Sequence, residues 1–199
     1  MQHQFDELYW NNRWQENKTQ WDIGAASPAL VTFMKQQPDK SVAVLIPGCG
    51  NAYEAEALLA LGFSNITLLD ISEVLAALLQ AKWKDNKAIS VLQEDFFKHN
   101  RQYDIILEQT FFCALNPTLR PAYTSKMSEL LKPGGQLAGL LFNRRFSEEE
   151  PPFGGSLEEY QSLFGTKFEI LKLEPCYNSI LPRTGSELFF HLKKKENAR

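Results

Sequence analysis

The stretch Ser41-Val-Ala-Val-Leu-Ile-Pro47-Gly48-Cys49-Gly50-Asn51, followed by Leu68-Leu69-Asp70, carries the fold in outline: strand, glycine turn, helix, strand, acidic residue. Val42 to Ile46 is a short, mostly β-branched run with no alternation of apolar and polar residues, which predicts a strand buried on both faces of a parallel sheet. Gly48 and Gly50 permit a tight turn and a close approach of backbone to ligand. Tyr53 to Gly62 holds helix formers and ends on a glycine stop. Asp70 follows Gly50 by about 20 residues, the interval at which a second strand presents a carboxylate to a ribose diol. The segment is a cradle for a nucleoside cofactor.

The absences narrow the ligand. A dinucleotide fingerprint places a third glycine three residues after the second, letting the helix close on the strand and aim its N-terminus at a pyrophosphate. Tyr53 holds that position. No Gly-Lys-Ser/Thr phosphate loop is present, and no lysine or arginine lies between Ser41 and Asp70 to answer a phosphate charge. A phosphate-free nucleoside fits better, and S-adenosyl-L-methionine is one, with a sulfonium cation compatible with nearby Asp70, Asp95 and Glu108.

Outward from the cradle the alternation continues. Ser72 to Lys84 predicts a helix with Ser72 as N-cap. Ile89–Leu92 and Tyr103–Leu107 predict the third and fourth strands. A helix from Asn116 to Leu131 is stopped by Lys132-Pro133-Gly134-Gly135, and Gln136–Phe142 is the fifth strand. Beyond a charged, proline- and glycine-rich segment from Asn143 to Gly155, a short helix (Ser156–Phe164) and two strands (Phe168–Leu173, Glu187–Leu192) close the chain as an antiparallel pair. Lys193-Lys194-Lys195 is expected to be a solvated tail. The expected fold is α/β, a doubly wound, mostly parallel seven-stranded sheet with an antiparallel C-terminal hairpin.

The chain has 199 residues, 44% of them hydrophobic, enough for one α/β domain with a sizeable core. The expected organisation is a single domain over 1–199, with an N-terminal helical cap (1–40) and a core (41–199). A net charge of −3 gives no basic footprint and argues against nucleic acid as partner. Cys49, Cys113 and Cys176 are odd in number and lack CxxC spacing, which points to a reducing compartment. With no apolar run of membrane-spanning length, no membrane partner and a cytoplasmic location are expected; oligomeric state is left open, a monomer included. His3, His99 and His191 lack ligand spacing with any cysteine, so no metal is expected. Cys49 and Cys113 are expected to be small buried hydrophobes rather than nucleophiles.

Three of the four tryptophans, Trp10, Trp14 and Trp21, precede the first strand. Trp10 and Trp14 share a face if helical. They form either a docked aromatic face or a lid whose indoles meet a cation, worth about 0.5 to 2 kcal/mol.

Trp10-x3-Trp14-x6-Trp21-Asp22-x-Gly24, Pro47-Gly-Cys-Gly50, Leu69-Asp-Ile-Ser72, Asp95-Phe-Phe97 and Phe111-Phe-Cys-Ala-Leu-Asn-Pro117-x2-Arg120 together resemble the thiopurine S-methyltransferase family of class I, Rossmann-like methyltransferases that use S-adenosyl-L-methionine. Phe111-Phe-Cys-Ala-Leu and Pro151-Pro152-Phe153 resemble its halide/thiol branch. The resemblance implies a small-molecule methyl acceptor: thiol, hydrosulfide, halide or a related chalcogen anion. It places Trp10, Trp14 and Trp21 over the cofactor, Gly48 at its methionine part, Asp70 at the ribose, Asp95 and Phe96 at the adenine, and Gln109 near the reacting centre; Gly50 and Ile71 are also expected to bind the cofactor. Phe111, Phe112 and Phe153 are expected to form an apolar acceptor pocket, and Arg144, just past the fifth strand, either steers an anionic substrate or is a surface residue. Family members often carry tyrosine or arginine at the position of Gln109 and aspartate at that of Glu108. No catalytic acid or base is implied, because alignment and desolvation suffice for a soft nucleophile. The residues alone leave two alternatives, a nicotinamide-dependent oxidoreductase and a non-catalytic S-adenosylmethionine-binding module.

Overall fold

A computed structural model describes residues 5–146 and 149–195. Strands β1 (Val44–Pro47), β2 (Ile66–Asp70), β3 (Ile89–Gln93), β4 (Tyr103–Glu108), β5 (Leu131–Phe142), β6 (Phe168–Pro175) and β7 (Glu187–Lys194) form one sheet in the order β3-β2-β1-β4-β5-β7-β6. The first five run parallel, and β7 is antiparallel to both β5 and β6. The strand order reverses at β1, so a crevice opens beyond the carboxyl ends of β1 and β4, where ligands of such sheets bind.

Helices cover both faces. Val44 and Ile46 of β1 pack with Leu30, Phe33 and Met34 of α2 (Pro28–Lys35), Leu58 of α3 (Tyr53–Ala60) and Leu75 and Leu79 of α4 (Glu73–Trp83). Leu45 faces the other way, into a core with Tyr123 and Met127 of α5 (Arg120–Leu130) and Tyr160 and Phe164 of α6 (Leu157–Phe164). This two-sided burial explains why β1 has no polar alternation. The remaining helix, α1 (Glu7–Gln15), lies ahead of the sheet and is N-capped by Asp6, whose carboxylate accepts from Tyr9 N at 3.1 Å.

The expected fold holds, with differences in detail. The Ser72 hydroxyl caps α4, accepting from Leu75 N, as expected. The Lys132–Gly135 stop is instead a bulge inside β5: Leu131 pairs with Tyr103, and Gln136 with Ile105. Lys132 Nζ holds the bulge by donating to Asp104 Oδ2 at 2.7 Å, a tertiary tie that punctuation residues do not announce. Lys193 and Lys194 are not a tail, because β7 continues through them; Lys194 Nζ donates to Leu131 O at 2.6 Å. α2, opened by Ser27-Pro28, was not singled out in the sequence. No helix among the described residues is long and apolar enough to cross a membrane.

Candidate active site

The carboxyl ends of all five parallel strands converge on one cavity of about 800 Å³. At the end of β1, Gly48 and Gly50 adopt φ values of +57° and +52°, which side chains disfavour. A Cβ on Gly48 would collide with the Phe111 ring, whereas one on Gly50 would meet open space. Gly48 is thus required by packing and Gly50 leaves the backbone bare toward the cavity. Tyr53, in place of a third glycine, turns its hydroxyl back to donate to Asp22 Oδ2 at 3.2 Å, beside a bond from Asn51 Nδ2 to the same oxygen. Asp22 Oδ1 accepts from Gly24 N at 2.7 Å, which closes the turn after Trp21.

At the end of β2, Asp70 Oδ1 accepts from Ser72 N at 2.9 Å. Burial pushes the Asp70 carboxyl up to about 6 even though the amides of Ser72, Gly50 and Ile71 favour its charge. Ile71 lines the cavity next to it. After β3, Asp95 Oδ1 accepts from Phe97 N at 2.9 Å, and the Phe96 ring packs edge-on against Phe111 with centroids 5.0 Å apart.

Trp10, Trp14 and Trp21 all line the cavity. Trp21 meets the other two edge-on, at 5.5 and 5.8 Å. Asn11 Oδ1 of α1 accepts from the Ser72 hydroxyl at 2.7 Å, which pins the aromatic helix to the start of α4. Trp14 also packs on the core below, so one aromatic face supplies both cover and packing.

The wall beyond β4 is built by a carboxylate. Glu108 is fully buried and accepts from Phe112 N, holding the 3₁₀ turn Phe112–Ala114 in place. Burial pushes Glu108 up to about 8, so it is largely neutral at pH 7. Gln109 Oε1 is buried at the cavity with no partner. Phe111 faces the cavity, whereas Phe112, 1% exposed, turns into the core against Tyr123, Tyr160 and Phe164. In a tight turn two adjacent rings point apart, so the expectation that Phe112 lines the pocket is corrected. Phe153 does not line it either: its N–H donates to Cys113 O at 2.7 Å, its ring packs on Phe5, and Pro151 and Pro152 face the cavity instead. Arg144 is exposed at the rim, stacked on Phe146 at 4.7 Å.

Sequence reasoning missed several lining residues. Arg183, from the turn before β7, pairs with buried Glu187 at 3.2 Å, donates to Trp21 O at 2.9 Å and lies over Phe142. It is distant in sequence from every motif. Asp22 was visible only as a member of a motif, and Glu94, just ahead of Asp95-Phe-Phe97, was not singled out. Cys49 and Cys113 line the cavity, with burial pushing both thiols well up, so neither is an activated nucleophile. His3 lies outside the described residues. His99 is bonded to Glu94 and Tyr103, and His191 to Gln136. No group of three His, Cys, Asp or Glu among the described residues is placed to hold a metal.

The profile of the family described as thiopurine S-methyltransferase matches residues 5–188. The chain belongs to this family. The chain is 32% identical over 191 residues to a probable thiol methyltransferase 2 of Arabidopsis thaliana, covering 93% of this chain and 84% of that one. Over the same span and coverage it is 31% identical to thiocyanate methyltransferase 1 of Brassica oleracea. In fold it is similar to the 1,6-didemethyltoxoflavin-N1-methyltransferase of Burkholderia thailandensis, solved with its acceptor and S-adenosylhomocysteine: TM-score 0.76, 16% identity, 96% of this chain and 87% of that one. This thiopurine S-methyltransferase family member is an enzyme that uses S-adenosyl-L-methionine, and its cavity fits that cofactor. The orphaned Gln109 Oε1 is an acceptor of the kind that suits an ammonium donor, and the Asp70 carboxyl at the cavity is one that suits hydroxyl donors.

Proposed function

We propose that the enzyme methylates a small, soft, anionic nucleophile: a thiolate, hydrosulfide, halide or related chalcogen anion. The observation that carries this reading is the acceptor end of the cavity. Phe111, Cys113, Phe142, Phe146, Pro151 and Pro152 make it apolar, Arg144 and Arg183 border it, and burial holds the Cys113 thiol in its neutral form. The names of the thiol and thiocyanate methyltransferases above support the same class.

S-Adenosylmethionine, when bound, supplies a methyl on a sulfonium, open to in-line displacement by an anion with neutralisation of charge. The residues of the chain bind, align and desolvate. Asp70, beside Ile71, accepts from the ribose hydroxyls; Asp95 accepts from the adenine amino group, with Phe96 against the base. Gly48, Gly50 and Gln109 hold the methionine part, and Trp10, Trp14 and Trp21 cover the cation. At the acceptor end the Phe111 ring strips water from the nucleophile, and Arg144 draws it in. A thiol with a pKa near 8.5 is already a few per cent thiolate at neutral pH, so a strong base is unnecessary.

The test is an acceptor panel at fixed S-adenosylmethionine, with volatile methylated products read by gas chromatography. Hydrosulfide, small thiols and iodide should turn over in preference to amines, catechols and bulky aromatic thiols. Turnover of an amine or catechol with none of thiols or iodide would overturn the acceptor class.

A further inference from the structure

The connection from β3 to β4 contains a turn and no helix, yet it delivers Asp95 and Phe96 to the cavity. A chain of three side chains fastens it. His99, 2% exposed, meets Glu94 Oε2 through Nδ1 at 2.7 Å and the Tyr103 hydroxyl through Nε2 at 2.8 Å. A carboxylate oxygen accepts, so in the neutral imidazole the hydrogen sits on Nδ1 and Nε2 accepts from the Tyr103 hydroxyl. Burial pushes the Tyr103 phenol up, which keeps the proton it donates. The two rings also stack, 5.7 Å apart.

The main chain completes the fastening. Glu94 N donates to Asp70 O at 3.0 Å, Lys98 N and His99 N donate to Asp95 O, and Lys126 Nζ of α5 donates to His99 O at 3.3 Å. Glu94 is the residue before Asp95, and Tyr103 is the first residue of β4, paired with Leu131 of β5. The side-chain chain therefore ties both ends of the Asp95 turn to the centre of the sheet.

We propose that His99 is a positioning residue for base recognition: through Glu94 and Tyr103 it fixes Asp95 so that the enzyme distinguishes adenine from hypoxanthine. The proposal rests on the reading that Asp95 meets the adenine. Adenine presents an amino group at its six-position, a donor that a carboxylate welcomes; hypoxanthine presents a carbonyl, an acceptor that a fixed carboxylate repels. A carboxylate free to swing away loses both the attraction and the repulsion, so rigidity here is selectivity.

The experiment measures calorimetric affinities of S-adenosylhomocysteine and S-inosylhomocysteine for the intact enzyme and for His99→Leu, Tyr103→Phe and Asp95→Asn, with thermal melting alongside. Tyr103→Phe keeps the stacked ring and removes one hydroxyl, so it tests the tie without emptying the core. Both His99→Leu and Tyr103→Phe should weaken the adenosyl ligand about three- to tenfold while changing the inosyl ligand less, shrinking the ratio between them. A purely structural role would lower the melting temperature and leave that ratio intact. A ratio that collapses in Asp95→Asn but is unchanged in both other variants overturns the role of His99 alone. A ratio unchanged in Asp95→Asn overturns the placement of Asp95 at the base, and the role of His99 with it.

Discussion

Asp70 and Glu108 are both carboxyl groups at strand ends, and burial raises both, but for opposite uses. Asp70, at about 6, faces the cavity. On the proposed reading ribose hydroxyls donate to its charged form, so ligand binding must expel the proton at low pH. The affinity for S-adenosylhomocysteine should be flat above pH 7 and fall by up to about tenfold per pH unit below 6. Asp70→Ala should weaken binding by about tenfold to a hundredfold and abolish the pH profile. Titration calorimetry from pH 5 to 8 checks both, and unchanged affinity in the variant would remove Asp70 from the ribose site. Glu108 never meets solvent and serves to hold the turn after β4. Its folded value, about 8, exceeds its ordinary 4.5. Its contribution to stability is therefore fully present below pH 4.5 and lost as the pH rises through 8. In Glu108→Gln the amide oxygen still accepts from Phe112 N and no charge is buried. Denaturant unfolding should show the variant gaining on the parent between pH 4.5 and 8, with no further gain above; parallel curves would mean that Glu108 ionises at no cost. Residues on regular elements were legible this way. Asp70 ends a strand and Gly50 opens a turn, and backbone pattern announces both. Phe111 and Phe112 were not separable, because in an irregular turn the direction of each ring is set by the Glu108 tie.

Among the elements, α1 depends most on what lies beneath it. Its own residues bury nothing completely; it is held by Asp6 at its start, by Asn11 on α4, by the three indoles and by Arg13, which reaches Glu150 at 3.2 Å. Few buried apolar contacts and several exposed polar ties mark a segment that opens locally below the global unfolding free energy. Cofactor under the indoles should close it. Amide exchange over residues 7–21 should slow on adding S-adenosylhomocysteine while exchange in β1 and β4 changes little; equal exchange with and without ligand would reduce the tryptophans to packing. Tryptophan spacing made this helix legible. The early start of β5 was not legible, because Lys132-Pro133-Gly134-Gly135 has the composition of a loop, and only the Asp104 partner across the sheet makes it a bulge.

At the scale of the whole molecule the charges along the cavity divide. Asp22, Asp70, Glu94 and Asp95 line the end at β1 to β3, where Lys98 lies 3.9 Å from Asp95, while Arg144 and Arg183 border the end at β5 and β7; Arg13, the other lining arginine, is paired with Glu150. The net charge of −3 would repel an anion approaching at random. An anionic acceptor therefore gains from entering at the arginine end. The two arginines contribute differently. Arg183 is anchored by Glu187 and Trp21, whereas Arg144 is exposed and its guanidinium lies over Phe146. An exposed charge acts on encounter more than on the aligned complex, and its reach is limited to a Debye length of about 10 Å at 0.1 M salt. Arg144→Ala should thus raise KM for hydrosulfide or iodide by about three- to tenfold at low salt, with kcat within about twofold. The difference should shrink as ionic strength rises toward about 0.5 M, where the charge is screened within a few ångströms. Steady-state kinetics at two salt concentrations read this directly. A fall in kcat that salt does not relieve would place Arg144 at the aligned nucleophile, and an unchanged KM at low salt would leave it a surface residue.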